Sequence, residues 1–205
     1  MKSILDKPIV LASASPRRSE LLKKTGIAFE VYTSNAEEVK NQNGSVEMLC
    51  KLNAKRKASW VAQKFPDRLV IGADTLVTMD GKIYGKPHDK EDAIKNLLEL
   101  QGRVHSVITG VALLCENLYF ESLFHVETKV VFKELSVGQI QRYYEKVNPL
   151  DKAGGYAIQE HGEMIIDHID GSFSNVIGLP IEELKMQIES LKNSLEKNNN
   201  RDNIL

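Results

Sequence analysis

The chain reads as an α/β protein, and three observations predict it. Apolar strand-like runs alternate with segments of helical period through the first half of the chain. Two adjacent strand-like runs follow, residues 105–115 and 124–135, the second alternating at Val126, Thr128, Val130 and Phe132, so they pair as a long hairpin. With 205 residues, 42% apolar and 27% charged, the chain has the composition of a globular protein with a full core.

The elements follow in order. Residues 8–12 form the continuous apolar run expected of a strand buried on both faces. Ser15 then stands at an N-cap and Pro16 in the first helical turn, where its missing N–H has no intrahelical partner to lose. The helix over 17–25 closes at Gly26. Its N-terminus presents unpaired N–H groups and the positive end of the macrodipole, and Arg17 and Arg18 add two guanidinium groups where the dipole disfavours cations. Such a local conflict points to function, with a polyphosphate as the natural occupant; the alternative is an ordinary Ser-Pro helix start with a solvated arginine pair.

Residues 29–32 are a short strand running into a polar stretch with Glu37 and Glu38. A helix over 45–65 places Met48, Leu49, Leu52 and Ala58 or Ala62 at helical spacing, with Lys51, Lys55, Arg56 and Lys57 on its polar side. Residues 69–73 are another buried strand, with Asp74 and Thr75 near its carboxyl end. Asp80-Gly81 is a tight hairpin turn returning the chain through 82–84 to Gly85-Lys86-Pro87. Asp89 caps a helix with Ala93, Ile94, Leu97 and Leu98 on one side, ending near Gly102. The long hairpin has 116–122 as its connection. Ser136 and Gln139 then make a capping box, and Leu135 and Ile140 a hydrophobic staple, for a helix stopping near Val147. Residues 150–162 are too polar for a core strand and too glycine-rich for a stable helix. A last strand over 164–169 and a terminal helix begun by Pro180 complete one domain over 1–192. From Asn193 the composition predicts a flexible tail, 193–205.

Composition excludes several classes. A formal net charge of −1 gives no global basic field for nucleic acid or an anionic membrane, so any anion site is local. Cys50 and Cys115 have neither metal-ligand spacing nor a partner motif, and no stretch approaches the roughly 20 apolar residues of a spanning helix. A soluble protein in the reducing cytoplasm is expected. The five histidines lack the spacing of a zinc helix and are assigned structural or solvent-exposed roles.

Four segments carry charge or glycine in loops or at strand ends: Ser-Pro-Arg-Arg, the Asp74 strand, Gly85-Lys86-Pro87 and the Asp151-Lys152 loop. With GSFSNVIGLP at 171–180, the ordered set LASASPRR at 11–18, GADTLV at 72–77, GKP at 85–87 and DKAGGYAIQ at 151–159 resembles the Maf family of nucleoside triphosphate pyrophosphatases over nearly the whole chain. The resemblance implies a Maf/ITPase-like elongated mixed sheet flanked by helices, with two lobes around a central cleft. It implies hydrolysis at the α-phosphorus to a monophosphate and pyrophosphate, with a divalent cation, Mg2+ or Mn2+, as cofactor. Asp74 matches the family's proton-accepting aspartate and stands with Glu38 as a metal ligand; Ser13, Arg18, Lys57 and Lys86 match residues near the phosphates. Lys57 has a second reading as part of a solvated face, and Lys86, held in a turn, is the better placed of the two lysines. Arg17, Thr75 and Gln159 match the branch acting on dTTP and UTP, and Gln159 offers the donor and acceptor that suit the edge shared by uracil and thymine. The alternatives are a pyrophosphatase for 7-methyl-GTP or another modified purine nucleotide, and a nucleotide-binding regulator of cell division. The resemblance leaves open a homodimer, whose interface the sequence does not locate.

Overall fold

The structure is a computed structural model describing residue 4 and residues 7–40 and 44–202, the last five by their backbone alone. Its elements are β1 (Ile9–Leu11), α1 (Pro16–Lys23), β2 (Phe29–Val31), α2 (Val46–Ala62), β3 (Val70–Met79), β4 (Lys82–Tyr84), α3 (Lys90–Leu100), β5 (Val104–Cys115), β6 (Phe120–Phe132), α4 (Val137–Tyr144), β7 (Ile166–Asp170), α5 (Phe173–Ile177) and α6 (Ile181–Asp202). The strands form one seven-stranded mixed sheet in the order β2-β1-β3-β5-β6-β7, with β4 also on β3. β1 runs parallel to β2 and β3, whereas the remaining pairs are antiparallel.

The way β3 is paired makes the cleft. On one side it is hydrogen-bonded to β5 from Val70 to Thr78. On the other, β1 pairs it only as far as Ile71, and β4 takes over only at Val77. Residues 72–76 therefore have no strand on that side, and the sheet carries a notch there. Asp74 and Thr75 sit in the middle of β3, not near its carboxyl end as the sequence suggests. Alternating burial continues through Leu76–Met79 because β4 and β5 flank that half of the strand.

Packing follows the notch. On one face, the small residues Ala54, Ala58 and Ala62 of α2 seat against Val10, Val70 and Ala112. On the opposite face one cluster joins β1, α1, α5 and α6 through Leu11, Leu22, Ile71, Leu113, Leu179 and Leu184. A second joins α3, α4 and the far half of the sheet through Leu97, Val107, Phe132, Ile140 and Tyr143. The long strands run through both clusters, and the notch lies between them.

Most local expectations hold. Asp80 and Gly81 both take positive φ, 52° and 78°, as a type I′ hairpin turn requires. The Ser136–Gln139 capping box forms, and Leu135 and Ile140 are buried behind it. Four details differ. β6 starts at Phe120, so the hairpin connection is only Glu116–Tyr119, with Tyr119 in the left-handed region at φ 48°. Met48 faces solvent, since the buried stripe of α2 starts at Leu49 and Cys50. Leu98 also turns outward, leaving Ala93, Leu97 and Leu100 as the buried side of α3. The expected tail from Asn193 is helical to Asp202, because Leu191 and Leu195 extend the apolar side of α6 onto the core; residues 203–205 lie outside the described residues.

Candidate active site

The approach of α2 to the sheet places the first half of the site. An ideal Cβ on Gly72 would lie 2.2 Å from the Ala54 carbonyl oxygen, and one on Gly110 would lie 2.4 Å from the Cys50 carbonyl carbon, so the helix backbone rests directly on two glycines. Asp74 is the cross-strand partner of Gly110 and shares this face. Above it, α2 turns Leu49, Asn53, Lys57 and Val61 along one line of four-residue steps. Asp74 Oδ1 accepts from Lys57 Nζ at 2.6 Å, and Asp74 Oδ2 accepts from Asn53 Nδ2 at 3.2 Å. Lys57 Nζ is also 2.6 Å from Glu38 Oε1.

Glu38 arrives on a segment without regular structure that α2 laces down. Asn53 accepts the Val39 N–H at 2.8 Å and donates to the Val39 carbonyl at 3.0 Å, and Arg56 Nε donates to the Glu37 carbonyl at 2.9 Å. Partial burial pushes the Glu38 carboxyl up, but the Lys57 hydrogen bond and the charges of Lys57, Lys86 and Arg18 outweigh it and hold the group below the usual carboxylate range. Cys50, on the sheet-facing side of α2, is pushed up to about 12 by burial and by Asp74, so it is an inert thiol.

The pleat of β3 sends Thr75 to the opposite face, where α1 supplies the cationic half. Ser15 holds the N-cap position without a side-chain capping bond, and its N–H donates to Ser13 Oγ at 3.2 Å. Arg18 is partly buried and donates to three neutral oxygens: Gly178 O at 2.7 Å, Thr75 Oγ1 at 2.9 Å and Ser13 Oγ at 3.4 Å. Among the described residues no carboxylate forms an ion pair with it. Burial lowers its pKa, with the Asp74 charge acting the other way, and a guanidinium stays charged regardless. Arg17 points elsewhere, bonding the Asp151 carboxylate and, at 3.1 Å, the Asp151 carbonyl.

These groups line one cleft of about 750 Å³ together with Lys86 and Gln159 on exposed loops, so every residue singled out from the sequence reaches the same cavity. The two lysines differ in setting. Lys57 is no part of a solvated face: its side chain is only 15% exposed and bridges two carboxylates, while neighbouring Lys55 pairs with Glu121. Lys86 is exposed on the rim. Lys152, in the glycine loop, is buried and tied to Asn148 O and Asp151. Gly154 and Gly155 are required by packing, since a Cβ on the first would meet Tyr156 and Val77 at 3.1 Å and one on the second Tyr144 Oη at 3.2 Å. Sequence reasoning missed Asn53 and the Asp151 partner of Arg17. The signal for Asn53 was present: a polar residue on the apolar line of α2.

An interrupted α/β sheet with a partly buried guanidinium that has no ion-pair partner among the described residues, and an acidic side chain at the same cleft, defines a protein built to hold a multiply charged anion against a carboxylate. This chain belongs to the Maf family: the family model described as Maf-like protein matches residues 8–191. It is 47% identical over 184 residues to a dTTP/UTP pyrophosphatase of Akkermansia muciniphila, covering 90% of this chain and 96% of that protein. It is 46% identical over 178 residues to a dTTP/UTP pyrophosphatase of Desulforamulus reducens, covering 87% and 93%. A Bacillus velezensis protein of the same name is 44% identical over 177 residues, covering 86% and 93%. No helix of the described residues is long and apolar enough to cross a membrane.

Proposed function

We infer that this chain is a nucleoside triphosphate pyrophosphatase that hydrolyses dTTP and UTP to the monophosphate and pyrophosphate. The observation that carries the reading is the Asp74 carboxylate, oriented through both oxygens by Lys57 and Asn53, in the same cleft as the partly buried Arg18. The names of the relatives and the presence of Arg17, Thr75 and Gln159 support the choice of substrate.

Asp74 has lone pairs left after its two protein partners, enough to accept a proton from a water held against the α-phosphorus. The new phosphorus–oxygen bond forms as the bond to the bridging oxygen breaks, the electron pair leaves on pyrophosphate, and the water's proton passes to Asp74. Charge grows on the departing group, and Arg18, Lys57, Lys86 and, once released from Asp151, Arg17 stabilise it, with Ser13 placed to hydrogen-bond a phosphate oxygen. Gln159 reads the pyrimidine edge.

A divalent cation fits the donor set. Among the described residues no three His, Cys, Asp or Glu side chains gather into a metal cage, but Glu38 and Asp74 both converge on the Lys57 ammonium, and Mg2+ is commonly held by one or two carboxylates with substrate phosphates and water completing its shell. Glu38 and Asp74 would hold it, and it would supply charge neutralisation at the phosphates.

The test incubates the purified chain with a panel of triphosphates, including dTTP, UTP, GTP and 7-methyl-GTP, in Mg2+ and in Mn2+, and separates the products. Monophosphate and pyrophosphate from dTTP and UTP are expected. Orthophosphate would contradict attack at the α-phosphorus, turnover confined to modified purines would reassign the base, and binding without turnover would favour a regulator.

A further inference from the structure

A ring of hydrogen bonds closes behind Arg18, through residues of α1, β3, β5 and the α5 end. Arg18 Nε donates to Gly178 O at 2.7 Å and Nη2 to Thr75 Oγ1 at 2.9 Å. Thr75 Oγ1 lies 2.9 Å from Thr109 Oγ1, and Thr109 Oγ1 donates to Asn175 O at 3.1 Å. The same Asn175 carbonyl accepts the Gly178 N–H at 2.9 Å, which completes the circuit. Thr109 and Asn175 are fully buried. Asn175 is bolted to the sheet by Nδ2, donating to Val107 O at 3.0 Å and Thr128 Oγ1 at 2.9 Å. Gly178, at φ +118°, has no room for a side chain in the ring: a Cβ would lie 3.2 Å from Thr75 Oγ1 and 3.3 Å from Arg18 Nε.

Proton counting gives the ring a direction. Each hydroxyl has one hydrogen, and an arginine only donates. The Thr109 hydrogen is committed to Asn175 O, so the hydrogen between the threonines belongs to Thr75, and a Thr75 lone pair faces Arg18. The one donor of Thr75 is thereby turned away from the cleft contents.

We propose that Thr109 is a positioning residue for the reaction, acting through Thr75 to fix the guanidinium plane of Arg18 toward the phosphates; the proposal rests on the triphosphate reading of the cleft. It also makes Thr75 a support for the phosphate end of the site, with no direct contact to the base. Without the Thr109 hydroxyl, the Thr75 hydroxyl is free to rotate, and Arg18 loses a fixed acceptor on the side opposite its ligand.

The test compares Thr109→Val and Thr109→Ser in the native and Arg18→Ala backgrounds. Thr109→Val is expected to lower kcat/KM for dTTP about tenfold, the size of one directional hydrogen bond to a charged group, and Thr109→Ser to restore it to within about twofold. Inhibition by inorganic pyrophosphate weakens by a similar factor, whereas inhibition by thymidine, which has no phosphate, is unchanged. In the Arg18→Ala background the valine substitution has no further effect. An equal loss in that background, a parallel loss of thymidine inhibition, or no rescue by serine overturns the proposal. Should the valine variant fail to fold, Thr109→Cys, with its weak donor, carries the same comparison. If the native chain releases no pyrophosphate from dTTP or UTP, the functional reading fails separately; calorimetric titration with inorganic pyrophosphate still decides Thr109, and equal affinity in native and variant protein overturns it.

Discussion

Replacing Gly110 with alanine tests how the site is built. Gly110 sits on β5 opposite Asp74, and the added Cβ would meet Cys50 C, Lys51 N and Cys50 O at 2.4, 2.5 and 2.6 Å. All three are backbone atoms, so no rotamer change relieves the clash. Ordinary Cβ contacts begin at 3.4 Å, so α2 must retreat by about 1 Å. Overpacking of this kind costs about 1–3 kcal/mol, and a rigid obstacle puts Gly110→Ala at the upper end. The same retreat draws Asn53 and Lys57 away from Asp74 and loosens the 33–40 segment that brings Glu38, and misplacement by about 1 Å costs on the order of 100-fold in rate. Urea unfolding and initial rates of pyrophosphate release from dTTP measure the two effects on one preparation. Native unfolding midpoint and native kcat/KM in Gly110→Ala would refute the claim that contact between α2 and the sheet sets the carboxylate geometry.

Other outcomes follow from the same structure. Asp74→Asn keeps the shape but removes the proton acceptor, so pyrophosphate release falls by roughly 100- to 10,000-fold; a loss of less than about threefold would dismiss Asp74 as the base. Gln159→Ala lowers the ratio of dTTP to GTP turnover by about tenfold through loss of base-edge hydrogen bonds; an unchanged ratio would remove Gln159 from the base contact. His105 is buried against Tyr156, Nε2 to Oη at 2.7 Å, and burial lowers its pKa to about 4. Below its ordinary value of about 6.5 the unfolded chain binds a proton that the folded chain refuses until about pH 4, so stability present above pH 6.5 is lost as pH falls across that window, by about 3 kcal/mol in all. Urea midpoints across it should fall more steeply for the native chain than for His105→Gln; parallel curves would show that the imidazole is not held neutral.

Much of this was legible because local chemistry and local structure agree. The capping box at Ser136, the Asp80-Gly81 turn and the alternation of β6 depend on neighbours in sequence, and they appear as expected. The ordered motifs also bring Asp74, Arg18 and Lys86 to one cavity. What sequence could not supply was depth. Lys57 reads as one charge among four on a helix, and only the close seat on Gly72 and Gly110 turns it inward. The placement of Asp74 near a strand end failed because β5, distant in sequence, pairs β3 from Val70 to Thr78, a contact that no local pattern reports. The α6 extension past Asn193 rests on Leu191 and Leu195 meeting the core, which outweighs the polar composition around them.

The notch in the sheet has an evolutionary corollary. The binding space exists because β1 and β4 are only three residues each, leaving a stretch of β3 unclaimed between them. Brevity there is a functional trait. Two or three extra extended residues after Leu11 or after Tyr84 would zip along β3 and occupy the cavity with backbone. Tolerance of insertions should therefore be sharply uneven: low at these two strand ends, high at the exposed Glu116–Tyr119 connection, where added length would project harmlessly into solvent.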